Sequence, residues 1–152
     1  MRVGWILAEP GLAERMRRFA ALFDNVIAHP SERLAVRALA RSATIIRPHA
    51  PLLAHNRQLL RRWVDTRPDA RWVQPAAGAV AFVDLGIGDV REFVERLGRE
   101  QETFIVPGHF FGAPEYVRIG LGVDSAVLEQ GLGRMTDQMK GYKRRESRPP
   151  DQ

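Results

Sequence analysis

Apolar positions recur along this chain at two periods, one helical and one of strands. Residues 2–8, Arg-Val-Gly-Trp-Ile-Leu-Ala, form a short apolar run that reads as a strand. Pro10 then opens a helix. On it Leu12, Met16, Phe19 and Phe23 share one face, with Arg15, Arg17 and Arg18 on others. The pattern breaks over residues 24–30, and Ser31 is the expected N-cap of an alanine-rich helix reaching about Ser42. Pro48 and Pro51 belong at the start of a longer helix, because proline is tolerated in a first turn and not in an interior. Leu52, Leu53, Asn56, Leu59, Leu60, Trp63 and Val64 make a broad stripe on that helix, which must end near Arg67-Pro68.

The second half changes character. Trp72-Val73 is a short strand, and Ala79 to Val83 is an apolar strand reached through Gly78. Asp89 followed by Glu92 resembles a capping box. Val90, Phe93, Val94 and Leu97 then give a helix to about Arg99. Thr103 to Val106 and Tyr116 to Leu121 read as strands. Asp124 caps a last helix whose apolar face is Leu128, Leu132, Met135, Met139 and Tyr142. The order is β-α-α-α followed by β-β-α-β-β-α. This predicts an α+β fold in which helices pack on a small, mostly antiparallel sheet, with the first strand far from the others in sequence. Residues 144–152 form a charged, proline-containing tail that is expected to be disordered.

Composition narrows the chemistry. The 152 residues suit one core, and the net charge is +5. Of 23 basic residues only Lys140 and Lys143 are lysines, so any reaction needing a lysine amine must use one of these two. The basicity is concentrated after residue 139, and the body is nearly balanced. There is no cysteine, which excludes disulfides, thiolate metal sites and a cysteine nucleophile. The four histidines (His29, His49, His55 and His109) show no i,i+4 pair, so no metal site is expected. No apolar run approaches the roughly 18–20 residues that span a membrane. The start lacks the features of a signal peptide, which makes the cytoplasm the default. The tail from Lys140 could attract phosphates weakly, but no nucleic-acid-binding motif accompanies it, and positive charge is ordinary at a helix C-terminus.

Several short stretches occur together in a recognisable order. They are Arg2-Val3-Gly4-Trp5, Asn56-Arg57 followed by Trp63, and Pro75 to Val83. Val106-Pro107-Gly108-His109-Phe110-Phe111-Gly112 and Tyr116-Val117-Arg118-Ile119-Gly120 complete the set. Taken together, they resemble the C-terminal part of class I/II aminotransferases, pyridoxal-phosphate enzymes of fold type I. The resemblance implies that residues 70–143 are the family's small C-terminal domain and 46–69 its connecting helix. It makes residues 1–45 a large-domain strand and helices. It also implies that Arg118 binds the substrate carboxylate and Arg2 the cofactor phosphate. The residue types suit those roles, since a guanidinium fork matches a carboxylate bidentately. On the residues alone, Arg118 could equally face solvent by strand alternation, and Arg2 could be a surface arginine. His109 is not expected to be a base, and Gly108 and Gly112 read as turn glycines reaching positive φ.

The same resemblance places the family's Schiff-base lysine a few residues before the position matching Arg2, ahead of Met1. No catalytic residue is therefore assigned. The chain is expected to be inactive alone towards amino acids and 2-oxo acids, and doubtful as a holder of pyridoxal 5'-phosphate. Its expected partners are a missing N-terminal half or a homologous subunit, as in a split or dimeric enzyme. The alternative is a non-catalytic binding or dimerisation module docking on such an enzyme. Strand 2–8 would have no neighbours, so residues 1–45 are expected to be less secure than 70–142.

Overall fold

Alternation and turn chemistry explain the sheet first. In the computed structural model, which describes residues 3–23 and 28–142, four strands form one antiparallel sheet in the order β1-β2-β4-β3. They are β1 (Arg71–Trp72), β2 (Val80–Asp84), β3 (Val106–Pro107) and β4 (Tyr116–Gly120). Phe82 of β2 lies opposite Arg118 of β4, and Val106 of β3 flanks Arg118 on the other side. Alternation sends Ala81, Val83, Val117 and Ile119 to one face, where all are buried. Val80 and Arg118 project from the other face and are exposed.

Three helices cover the buried face: α4 (Ala50–Asp65), α5 (Arg91–Gln101) and α6 (Ser125–Met139). Leu60 and Val64 of α4, Phe93 and Leu97 of α5, and Leu128, Leu132 and Met135 of α6 complete the core. Full burial of such a side chain is worth about 1.5–3 kcal/mol. The α+β class and the antiparallel sheet are as the periodicity predicts. Trp63 also fastens α4 to α6, its Nε1–H donating to Leu132 O and Thr136 Oγ1, each at 3.0 Å.

The helices before α4 form a separate unit: the chain divides into compact units at residues 1–48 and 49–152. They are α1 (Pro10–Ala20), α2 (His29–Ala40) and α3 (Ser42–Ile46). Of all the buried apolar side chains among the described residues, only Ala35 belongs to this unit.

Local departures from expectation have physical causes. Residues 3–8 carry no strand, because no neighbour offers them a hydrogen-bonding ladder among the described residues. Trp5, Ile6 and Leu7 are exposed. Helix α1 is capped by Glu9, whose carboxylate accepts from Leu12 N at 2.8 Å, a cap that the sequence reading missed. Ser31 is not the cap of α2. The helix begins at His29, so that Pro30 occupies its first turn. Pro48 likewise precedes α4 rather than entering it, and Pro51 takes the first-turn position. Asp89 accepts from Arg91 N at 2.9 Å, although α5 proper begins only at Arg91, and it runs to Gln101 instead of Arg99. Strand β3 pairs at only two positions, later than the expected 103–106. Gly108–Phe111 form a 3-10 turn, where the sequence places Gly108 and Gly112 as turn residues. The tail 144–152 lies outside the described residues.

Candidate functional site

The open face of the sheet carries the one functional side chain that the sequence predicts within the described residues. Arg118 sits mid-strand on β4, between Phe82 of β2 and Val106 of β3. It is exposed, and among the described residues it forms no ion pair. Its guanidinium lies 5.5 Å from the centre of the Phe111 ring, within cation–π range. Phe111 comes from the 3-10 turn and meets Phe82 edge to face at 5.9 Å. Phe82 in turn stacks on Tyr116 at 4.7 Å, with 12° between the ring planes. A shallow depression of about 360 Å³ results, lined by Val80, Ala81, Phe82, Phe111 and Arg118. A cation beside apolar rings is well placed for the carboxylate end of a molecule with an apolar remainder.

The turn that presents Phe111 depends on two glycines, for different reasons. Gly112 takes φ 73°, where a side chain is disfavoured. Gly108 does not have positive φ, contrary to expectation. Its constraint is space, since a Cβ there would lie 2.1 Å from Ala113 O and 2.7 Å from Tyr116 O. His109, beside it, stacks loosely on Phe110, and its Nδ1 is buried without a partner.

The Asn56-Arg57 pair divides its work. Asn56 is fully buried. Its Nδ2 donates to Leu121 O at 2.9 Å and to Val123 O at 2.8 Å, and its Oδ1 accepts from Ser125 Oγ at 2.7 Å. It therefore ties α4 to the end of β4 and the start of α6, and acts as an anchor rather than a ligand. Arg57 donates to Gly78 O at 3.3 Å.

Arg2 lies outside the described residues. The clustering of Phe82, Phe111 and Tyr116 around Arg118 was not foreseen, because it depends on strand register, which sequence spacing does not carry. A pyridoxal-phosphate site of the usual kind needs a lysine amine for its Schiff base. Among the described residues the only lysine is Lys140. It follows the last residue of α6, on the helical side of the sheet, and its Nζ is 2.7 Å from Asp137 Oδ1. The described residues thus offer a carboxylate partner but no lysine beside it, and they do not by themselves fit the cofactor. No cluster of three or more His, Asp or Glu among them could hold a metal ion. No described helix is long and apolar enough to cross a membrane.

Comparisons with known proteins bear on the family and the fold. The sequence profile described as aminotransferase class I and II matches residues 1–135. Capreomycidine synthase of Streptomyces vinaceus is 27% identical over 146 residues, covering 95% of this chain and 38% of the synthase. Aspartate aminotransferase of Bacillus subtilis is 42% identical over 55 residues, covering 36% of this chain and 14% of that enzyme. The crystal structure of a PLP-dependent aminotransferase from Streptococcus suis superposes with a TM-score of 0.69. It covers 94% of this chain and 38% of that one at 22% identity, a likeness of fold. The chain thus spans about two-fifths or less of the length of the relatives it matches.

Proposed function

We propose, from the premise that the chain belongs to the class I and II aminotransferase family, that it supplies the substrate-carboxylate side of a pyridoxal-phosphate-dependent aminotransferase. The substrates would be amino acids and 2-oxo acids. The observation that carries this reading is Arg118, an exposed guanidinium without an ion pair among the described residues, held mid-strand on an open sheet face against Phe111. Arg118 orients the substrate through a bidentate carboxylate contact, and the Phe82–Phe111 pair shields one side of that contact from water. By the family resemblance alone, Arg2 would take the cofactor phosphate. The 152 residues alone do not turn over, because neither of the two lysines stands in the motif position.

Two measurements on the full chain test this. Transamination between an amino acid and a 2-oxo acid, with pyridoxal phosphate added, should be absent for the chain alone; clear turnover overturns the inactivity. Binding of a 2-oxo acid, followed by NMR, should perturb β4 and the turn 108–111. Arg118→Gln should weaken that binding roughly tenfold, the scale of a lost charge-assisted hydrogen bond. Equal affinity in the variant removes Arg118 from the role.

A second reading, a docking module for a complete or split homologue, is favoured by the exposed apolar side chains of residues 3–23. Trp5, Ile6, Leu7, Phe19 and Phe23 are each more than 60% exposed. Exposure of this kind usually marks an interaction surface. Light scattering of the purified chain, alone and mixed with a homologous aminotransferase, tests it. A monomer in both cases removes its support.

A further inference from the structure

A second cationic site shares no lining residue with the depression beside Arg118. Helix α4 and the segment 74–76 line an open groove of about 520 Å³, with His55, Arg57, Gln58, Arg62 and Gln74 among its lining residues. No carboxylate lines it. Neither Arg57 nor Arg62 forms an ion pair among the described residues, whereas the neighbouring Arg61 reaches Asp65 at 3.6 Å. Arg57 is held by one long hydrogen bond, to Gly78 O at 3.3 Å. Its Nε is buried and finds no acceptor among the described residues.

These observations point to one chemistry. A buried guanidinium N–H without a partner is unfavourable, and native structures rarely keep one. Guanidinium forks match carboxylate and phosphate oxygens, and the amides of Gln58 and Gln74 add neutral donors. We propose that this groove is a binding site for a small molecule bearing a carboxylate or phosphate group. The oxyanion sits between Arg57 and Arg62, pairing with their terminal guanidinium N–H groups, and the Arg57 side chain turns so that its buried Nε–H also meets the ligand. The site is separate from Arg118 and goes beyond the aminotransferase reading.

The test uses the full 152-residue chain, isotope-labelled so that arginine Nε–H signals are resolved by NMR. Inorganic phosphate and succinate are titrated separately at constant ionic strength, with no pyridoxal compound present, so failure of the Arg118 role leaves the result intact. The expected result is a saturable shift of the Arg57 Nε–H signal, and the probe that binds more tightly identifies the group. Arg62→Gln should weaken binding roughly tenfold. Arg61→Gln, one residue away and already paired, should leave it within about twofold. Arg57→Gln is the direct variant; should it fail to fold by circular dichroism, exposed Arg62 decides. Shifts that grow linearly with both anions overturn the site, as does an Arg61→Gln effect equal to that of Arg62→Gln, which marks diffuse surface charge.

Discussion

At the scale of single residues, the polar side chains of the second unit do more structural work than their types suggest. Asn56 closes three hydrogen bonds inside the core. Asn56→Ala removes the donor to the carbonyls of Leu121 and Val123, the first of them buried. Each unmet group costs about 1–3 kcal/mol, so the variant should lose about 2–4 kcal/mol in urea denaturation. Ser125→Ala, which leaves both carbonyls paired, should cost about 1 kcal/mol. Glu100 carries a pH signature. Its carboxylate accepts from Arg96 at 3.2 Å and 3.4 Å and from Gln138 at 3.3 Å, and these contacts hold its pKa below the ordinary 4.5. A lowered folded pKa means the stabilisation is full above the unfolded value and is lost as pH falls through the folded one. Arg96→Gln should raise the Glu100 pKa, read by carboxyl-carbon NMR, and should flatten that acid-side slope of stability. An unmoved titration removes Arg96 as the main cause. Solvent screening at this surface pair keeps the energetic effect small.

At the scale of elements, caps and periodicity decide what forms. Asp124 accepts from Ala126 N at 2.9 Å at the start of α6, beside the Asn56 anchor. Asp124→Ala should cost about 1 kcal/mol, within the range for lost N-caps, and should lower the thermal midpoint without changing the sheet. A loss near zero would show that the Asn56–Ser125 contact fixes the helix start unaided. Helices α4, α5 and α6 were legible because each repeats its apolar face over two or more turns, and β2 and β4 because their apolar runs are bounded by turns. The start of α2 was misread because serine and proline compete to mark a first turn, and Pro30 prevails. Strand β3 was misjudged because its extent depends on which β4 residues it can reach. The aromatic setting of Arg118 was illegible for the same reason. Phe82, Phe111 and Arg118 come from three separate stretches, and only the register Phe82↔Arg118 brings them together.

At the scale of the whole molecule, burial is unequally shared. The apolar stripe of α1 is as regular in sequence as that of α4, yet Phe19 is 65% exposed while Leu60 is wholly buried. Periodicity specifies that a face wants cover; it does not say what covers it. The described residues before His49 therefore contribute little area to folding, whereas α4, α5, α6 and the sheet share one continuous core. Local stability follows buried apolar contact, so the two units should open at different free energies. Hydrogen exchange should show slow amides in β2, β4 and α4 to α6, and fast exchange through α1 and α2. Limited proteolysis should cut first within residues 1–48 and leave a resistant fragment beginning near His49. A fragment of residues 49–142 should then unfold cooperatively, at a midpoint close to that of the full chain. If instead removal of residues 1–48 abolishes cooperative unfolding, the first unit contributes to the core, and the division between Pro48 and His49 does not describe how the chain folds.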